Sequence, residues 1–411
     1  MLIKDSENIM NEKIFYKGYK YQIKPTEEQK KLINRFIDLY RFVYNWGIAK
    51  EDENYKLYEQ GKSKYKFLNF LSLSYEFTKF RHQSENNWIL ELPLTTSRLA
   101  LKDVVNAYTM FFNKHNKHPK FKSKKLSPKM FKTRSERFFL TENGIRIEGL
   151  PGRKDLIPMS FNCGFKKSDK IIQPVISIDN IGNYWVSFSV IEQCKTIEKP
   201  KTDSIGIDLG IRKTFTLSTG EVYNKPIEKL NKLDRRIKMI SHHVSRDINR
   251  RKAEAERTKS KYDDIPKSKR ETKREIIKRK LYKKKHDIKN NFYHEVAKDI
   301  VLRNPDHIIM ETIPVQNTVR KKQYMAKSMS QADFYWIMTI VKQKAKEYGV
   351  DFIQADRNFP SSQICSHCGH IQNIGNKKVY KCKNCGLQID RDLNAALNLR
   401  DLVVQNNNIV E

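Results

Sequence analysis

The apolar pattern of the chain changes period several times. Residues 13–25, KIFYKGYKYQIKP, place Phe15, Tyr19, Tyr21 and Ile23 on alternate positions and stop at Pro25, as a half-buried strand does. Thr26 and Gln29 then have capping-box spacing, and Leu32, Phe36, Tyr40, Val43 and Tyr44 repeat at helical intervals. Helical patterning runs on to about residue 118, clearest over 75–80 and 97–112. From Gly144 to Glu192 short alternating runs, GIRIEGLP, DLIPMSF, PVISIDN and YWVSFSV, are divided by Gly, Pro and Asn. One strand ahead of the helices and several behind them predict a small β-barrel interrupted by a helical insertion.

The polar, proline-containing stretch CKTIEKPKTD at 194–203 marks the main boundary. Beyond it, SIGIDLGIRKTFTLSTG reads as two strands turning at Gly210–Lys213. Residues 226–303 carry a highly charged helical pattern broken near YDDIPKS, which predicts two antiparallel helices with a basic outer face. DHIIMETI is a buried-type strand, QADFYWIMTIVKQKAKEYG an amphipathic helix, VDFIQAD a further strand, and a last helix begins near Asp390. The first dozen residues are polar and patternless, a flexible leader.

Charge narrows the class. Lys and Arg number 80 against 47 Asp and Glu, a formal net charge of +33 distributed along most of the chain. Such an excess predicts a polyanionic partner, most simply nucleic acid. No apolar run approaches the length of a membrane span, and no signal-peptide core is present, so the expectation is an intracellular, cytoplasmic protein with no membrane partner. In HPKFKSKKLSPKMFKTRSERFFL the cations interleave with Phe121, Phe131, Phe138 and Phe139. Aromatics so placed suit stacking on bases and equally suit anchoring in a core.

Three acids stand in apolar surroundings. Asp208 lies inside IGIDLG and Glu311 follows three apolar residues in HIIMET, each on a strand where a lone carboxylate needs a cation or donors. Asp390 and Asp392 precede LNAALNL. Side chains two apart on a helix diverge by about 200°, so they cannot comfortably share one metal. Asp392 falls in the first helical turn beside Asn394, Ala395 and Ala396, whose small size allows close approach to a sheet; Asp390 falls just outside, where capping free N–H groups is the natural task. Carboxylates from two strands and a helix suit a phosphodiester hydrolase holding two Mg²⁺ roughly 4 Å apart.

Six cysteines occur. Cys163 and Cys194 stand alone and read as buried thiols. Cys365-x-x-Cys368 and Cys382-x-x-Cys385, 13 residues apart and each closed by a glycine, Gly369 or Gly386, fit one structural tetrahedral Zn²⁺. His367 and His370 read as bystanders.

The element order resembles the RuvC branch of the RNase H-like fold. IGIDLGIRKTFTLSTG, IIMETI, FPSSQICSHCG, YKCKNCGLQIDRDLNAALNL and HPKFKSKK together resemble the transposon-encoded TnpB proteins, relatives of the type V CRISPR effectors, from about Lys13 to Val404. The resemblance implies a multidomain α+β chain: a β-barrel wedge domain with a helical recognition insertion, then an RNase H-like (RuvC) α/β domain with an inserted zinc ribbon. The expected boundaries are a leader at 1–12, the first wedge strand at 13–25, recognition helices at 26–120 and the wedge remainder at 121–193. A linker at 194–203 leads to RuvC at 204–360 with its hairpin at 226–303, a zinc ribbon at 361–388, a final helix at 389–404 and a tail at 405–411. It implies a monomeric RNA-guided DNA endonuclease with the catalytic triad Asp208, Glu311 and Asp392 on two Mg²⁺. The partners would be a guide RNA from the transposon end and double-stranded target DNA beside a short transposon-adjacent motif. Thr312 and Ile313 depart from the family's acid and leucine, and NNFYHEVA matches only loosely. The rival readings are a nuclease-inactive RNA-guided repressor and a guide-independent zinc-ribbon transposition factor.

Overall fold

The computed structural model of the protein describes residues 14–141, 143–150, 155–159, 170–211, 213–311, 333–375 and 377–407. Residues 1–13, Cys163, Thr312 and Ile313 lie outside them, as do the last two residues of the DLIPMSF strand and the last four of the chain. Two compact units form, one of Tyr16–Glu192 and one of Gln193–Glu411 with Met1–Phe15.

In the first unit, β1 (Ile14–Ile23) ends before Pro25 and α1 (Glu27–Glu59) starts on the expected capping box, Thr26 accepting from Gln29 N. That reciprocal cap satisfies two donors that the first helical turn leaves open. Helices α2 (Phe70–Arg81), α3 (Asn87–Leu90) and α4 (Leu94–Phe112) follow. The strands β2 (Lys129–Lys132), β3 (Phe138–Thr141), β4 (Gly144–Ile147), β5 (Ile157–Pro158), β6 (Ile171–Ile178) and β7 (Tyr184–Gln193) make two sheets, ordered β1-β7-β6-β2 and β3-β4-β5. An Ile23–Met159 bridge and the bond from Lys24 N to Pro158 O (2.7 Å) join the end of β1 to the β5 edge.

Phe36 of α1 stacks on Phe131 of β2 at 4.8 Å between ring centres, and the core continues through Tyr40, Leu101, Val104, Ile176 and Val186. Among the four phenylalanines that alternate with cations, Phe131 and Phe138 are therefore core anchors, whereas Phe121 and Phe139 are exposed.

The second unit is built on a five-stranded sheet of β8 (Ile205–Leu209), β9 (Phe215–Leu217), β10 (Val222–Tyr223), β11 (His307–Met310) and β12 (Asp351–Gln354), in the order β10-β9-β8-β11-β12. β9 runs antiparallel to β8 and β10, while β8, β11 and β12 are parallel. Alternation divides the faces. Ile205, Ile207, Leu209, Ile308 and Met310 pack into one core with α6 (Lys269–Val301) and α7 (Phe334–Glu347). Gly206, Asp208 and Ile309 point the other way, toward α8 (Arg391–Asn407).

Between them, α5 (Ile227–Arg257) pairs with α6 as the predicted charged hairpin, zipped by Leu233, Ile237 and Leu281. Farther out, Arg274 donates to both oxygens of Asp247, at 2.8 and 2.7 Å. Cys194 is only half-buried, its thiol donating to Lys346 O at 3.2 Å, because the 194–203 stretch is too polar to enclose it.

Gly206 is the closest approach in this unit. A Cβ there would overlap the backbone of Ala396 and Arg400 on α8. Gly206→Ala should cost about 2 kcal/mol or more, read as a lowered melting temperature. Gly18→Ala, which meets nothing within 4 Å, should stay within about 0.5 kcal/mol.

Candidate active site and metal centre

Register places the first two acids side by side. β11 pairs with β8 as Ile308–Ile205, Ile309–Gly206 and Met310–Ile207, so the next residues in line are Glu311 and Asp208. Both stand at the carboxyl ends of adjacent parallel strands, where open α/β sheets present their ligands. Asp392 arrives from above. Ala396 of α8 sits over Gly206; four residues back along the helix is about 6 Å, and two residues forward along the strand about 6.6 Å. The helix running back over β8 therefore delivers Asp392 to the level of Asp208.

Their electrostatics record this closeness. Burial pushes the Asp208 carboxyl well up, and the charges of Glu311 and Asp392 with a hydrogen bond to Glu311 push it further. Burial likewise raises Glu311, partly offset by hydrogen bonds from Asp208 and Ser361 and by the charge of Arg391. The Ser361 hydroxyl lies 3.5 Å from Glu311 Oε2. Three acids held this way fit hard divalent cations, whose charge removes the repulsion that proton sharing otherwise relieves.

Asp390 takes a different part. Its Oδ1 accepts from the N–H groups of Asp392 (3.0 Å) and Leu393 (3.2 Å), capping α8, and its Oδ2 lies 2.7 Å from Lys213 Nζ. Burial would raise its carboxyl, but Lys213 and these N–H groups outweigh that and hold it below the ordinary range. Lys213 also reaches Asp392, at 3.7 Å. The two aspartates thus converge on one ammonium despite the helical divergence of residues two apart, because Asp390 belongs to the strand before the helix.

The sequence reading did not single out Lys213, Gly206, Ser361 or the amides of α8. Asn394 is no mere spacer: it accepts from Ser366 N (3.0 Å) and donates to Ile364 O (2.7 Å). Asn398 donates to Ser361 O (2.7 Å) and Ile364 O (2.8 Å). Two amides four apart in the otherwise apolar LNAALNL run were the available signal, since buried amides need fixed partners.

The same 361–366 segment leads into the cysteines. Cys365, Cys368, Cys382 and Cys385 bring their sulfurs within 4.8 Å of one another, and no acid cluster among the described residues is as tight. The Cys365–Cys385 and Cys368–Cys382 separations are both 3.6 Å, against about 3.8 Å for a tetrahedron with zinc–sulfur bonds of about 2.3 Å. Gly369 and Gly386 take left-handed φ of 73° and 74°, letting their N–H groups turn back to Cys365 O and Cys382 O. The second knuckle is carried by the hairpin of β13 (Val379–Lys381) and β14 (Gln388–Asp390), and Tyr380 beneath it donates to Gln363 O at 3.0 Å. The backbone N–H of His370 and the amide of Asn384 hold the Cys368 thiol down to about 6, favouring the thiolate that zinc needs. The rings of His367 and His370 are not part of the ligand group.

Comparison with known proteins follows the same lines. A family model described as Cas12f1-like, TNB domain matches residues 334–399, from α7 through both knuckles into α8. One described as a helix-turn-helix domain matches 10–62, where the described chain is β1 followed by the unbroken α1. A Streptomyces pristinaespiralis protein named "Putative RNA-guided DNA endonuclease" is 26% identical over 93% of this chain and 88% of its own. TnpB-like protein L79 of Acanthamoeba polyphaga mimivirus is 22% identical over 94% and 73%. The chain is a relative of the TnpB-like proteins. InsQ of Escherichia coli K12, with the same description as the Streptomyces protein, is 22% identical over 93% of this chain and 91% of its own. The fold is also that of Cas12f1 as seen in a Cas12f1-sgRNA-target DNA complex, with a TM-score of 0.53 and 14% identity over 92% of this TnpB relative and 84% of that chain.

Cys382→Ser should lower zinc from about one ion per chain and reduce thermal stability together, measured by elemental analysis and melting. Unchanged zinc stoichiometry would show that the four thiolates are not its ligands.

Proposed function

We propose that this protein is an RNA-guided DNA endonuclease of a transposon, hydrolysing phosphodiester bonds at Asp208, Glu311 and Asp392 beside a short transposon-adjacent motif. The observation that carries the reading is the convergence of these three acids from two parallel strand ends and a facing helix. The strand order, with its central β8 flanked by antiparallel and parallel neighbours, supports an RNase H-like RuvC domain over 204–360, closed by the helix at 389–404. The β1–β5 bridge supports a wedge barrel made of 13–25 and 121–193 around recognition helices at 26–120.

The net charge of +33 and the names of the relatives support guide RNA and double-stranded DNA as partners. No helix among the described residues is long and apolar enough to cross a membrane, which accords with a cytoplasmic protein that joins the nucleoid when bound to DNA. One polypeptide chain contains every residue of the proposed site, consistent with a monomer.

Two Mg²⁺ ions, when bound, would supply a water of lowered pKa and a Lewis acid for the leaving oxygen. Asp208, Glu311 and Asp392 would hold them, with Asp208 and Glu311 giving up the proton they otherwise share. Ser361 orients Glu311, and Lys213 balances the charge of Asp392 and anchors the Asp390 cap. Neither thiol nor histidine is required as nucleophile, and the four cysteines have a structural task under 361–388.

Asp208→Ala, Glu311→Ala and Asp392→Ala should each reduce Mg²⁺-dependent cleavage by about a thousandfold or more while guide-dependent DNA binding persists; full cutting by any one removes that residue from the triad. Asp390→Asn should be milder than Asp392→Asn in the same assay. Because Asp208 and Glu311 carry raised pKa values, cleavage at fixed Mg²⁺ should fall as pH drops toward their protonation, and a flat profile there would count against these two as ligands.

A further inference from the structure

Between Asp103 and Glu136 the chain contains lysines and one arginine but no acid. Within that stretch, the loop joining α4 to β2 carries Leu126, which is 91% exposed. An exposed leucine is ordinary on a mobile tail, but this one tops a loop fixed at several points. The backbone of Lys122 exchanges hydrogen bonds with Asn45 of α1, Asn45 Nδ2 donating to Lys122 O (2.9 Å) and Lys122 N donating to Asn45 Oδ1 (2.7 Å). The Lys122 ammonium lies 3.7 Å from the centre of the Tyr44 ring. Ser123 N donates to Ser127 Oγ (2.9 Å), Leu126 N to Ser123 Oγ (2.9 Å) and Ser127 N to Ser123 O (3.1 Å), closing the turn beneath the leucine. Lys124 and Lys129 lie to either side of it and are exposed.

Leaving a leucine almost wholly in water gives up the stabilisation its burial would bring, and here the fold fixes the loop that presents it. What would cover it must suit an apolar tip ringed by cations. A hydrophobic protein surface answers the tip and wastes the lysines; a phosphate backbone answers the lysines and leaves the tip wet. A DNA base step with its phosphates answers both, since aliphatic wedges enter between stacked base pairs while neighbouring cations hold the backbone. We infer that the loop at 119–127 is a duplex-DNA wedge, with Leu126 inserted at a base step and the neighbouring Lys124 and Lys129 on the flanking phosphates. This rests on the reading of the protein as one that acts on DNA, and it names a residue that would begin to part the strands. The exposed Phe121 is not needed for it.

The test uses the full-length protein with the RNA that copurifies with it, without added Mg²⁺. The probes are 30-base-pair duplexes of randomised sequence carrying 2-aminopurine in place of adenine, whose emission rises on unstacking. Wild-type protein should raise the emission on binding. Leu126→Ser should bind roughly tenfold more weakly, corresponding to one decade of affinity, and leave the emission near that of free duplex. Its melting temperature should be unchanged because the side chain is exposed. A duplex carrying a two-base-pair mismatch should recover most of the lost affinity, since the wedge no longer has to open it. Binding by the wild type without an emission rise, an equal rise with Leu126→Ser, or a rise on RNA duplex alone overturns the wedge and leaves the nuclease reading standing. Failure of the wild type to bind any duplex overturns both.

Discussion

The bare face of Gly206 against α8 is the contact on which the proposed active site depends. With no Cβ on the strand, the helix backbone at Ala396 and Arg400 comes down to the sheet, and everything else in the cluster is arithmetic from that point. Strand and helix rises then bring Asp392 level with Asp208, and parallel register supplies Glu311. A bulkier residue would lift the helix and draw Asp392 away from Asp208 and Glu311. The small residues Ala395 and Ala396 on the facing side, both buried, are the other half of this fit.

The helix is held at its other coordinates by polar bonds, as a helix lying over charged groups must be. Asn394 and Asn398 fasten it to the 361–366 segment, and Asp390 with Lys213 secures its first turn. Because that segment contains Cys365 and begins at Ser361, which touches Glu311, the cysteine cluster and the acid cluster share one stretch of chain. The cysteine cluster thus acts on the acids by fixing the polypeptide that positions them, over and above whatever stability it adds locally.

Much of this was legible in the sequence, for reasons that differ from residue to residue. The β1 alternation, the Thr26–Gln29 cap and the charged hairpin are local patterns, and local physics fixes them. Asp208 and Glu311 stood out because an acid in an apolar strand is costly wherever the strand goes. The cysteine spacing was enough to predict a four-sulfur site. Lys213 was hidden because one lysine among so many cations carries no signal until the turn after Gly210 is folded. Phe131 and Phe121 could not be separated, since ten residues apart in the same basic stretch one meets Phe36 and the other meets solvent. Asn394 was misread for a related reason: its partners lie about thirty positions earlier, on a segment with no regular period.

The three acids sit at positions 208, 311 and 392, so the site is assembled from parts synthesised far apart in time. A nascent chain on the ribosome can form the central strands and pair Asp208 with Glu311 well before Asp392 exists. Until the last helix has emerged and settled onto Gly206, such a chain is strongly basic while its acid cluster is incomplete. Under the proposed function, order of synthesis alone would delay hydrolysis until the protein is nearly finished, with no inhibitor required.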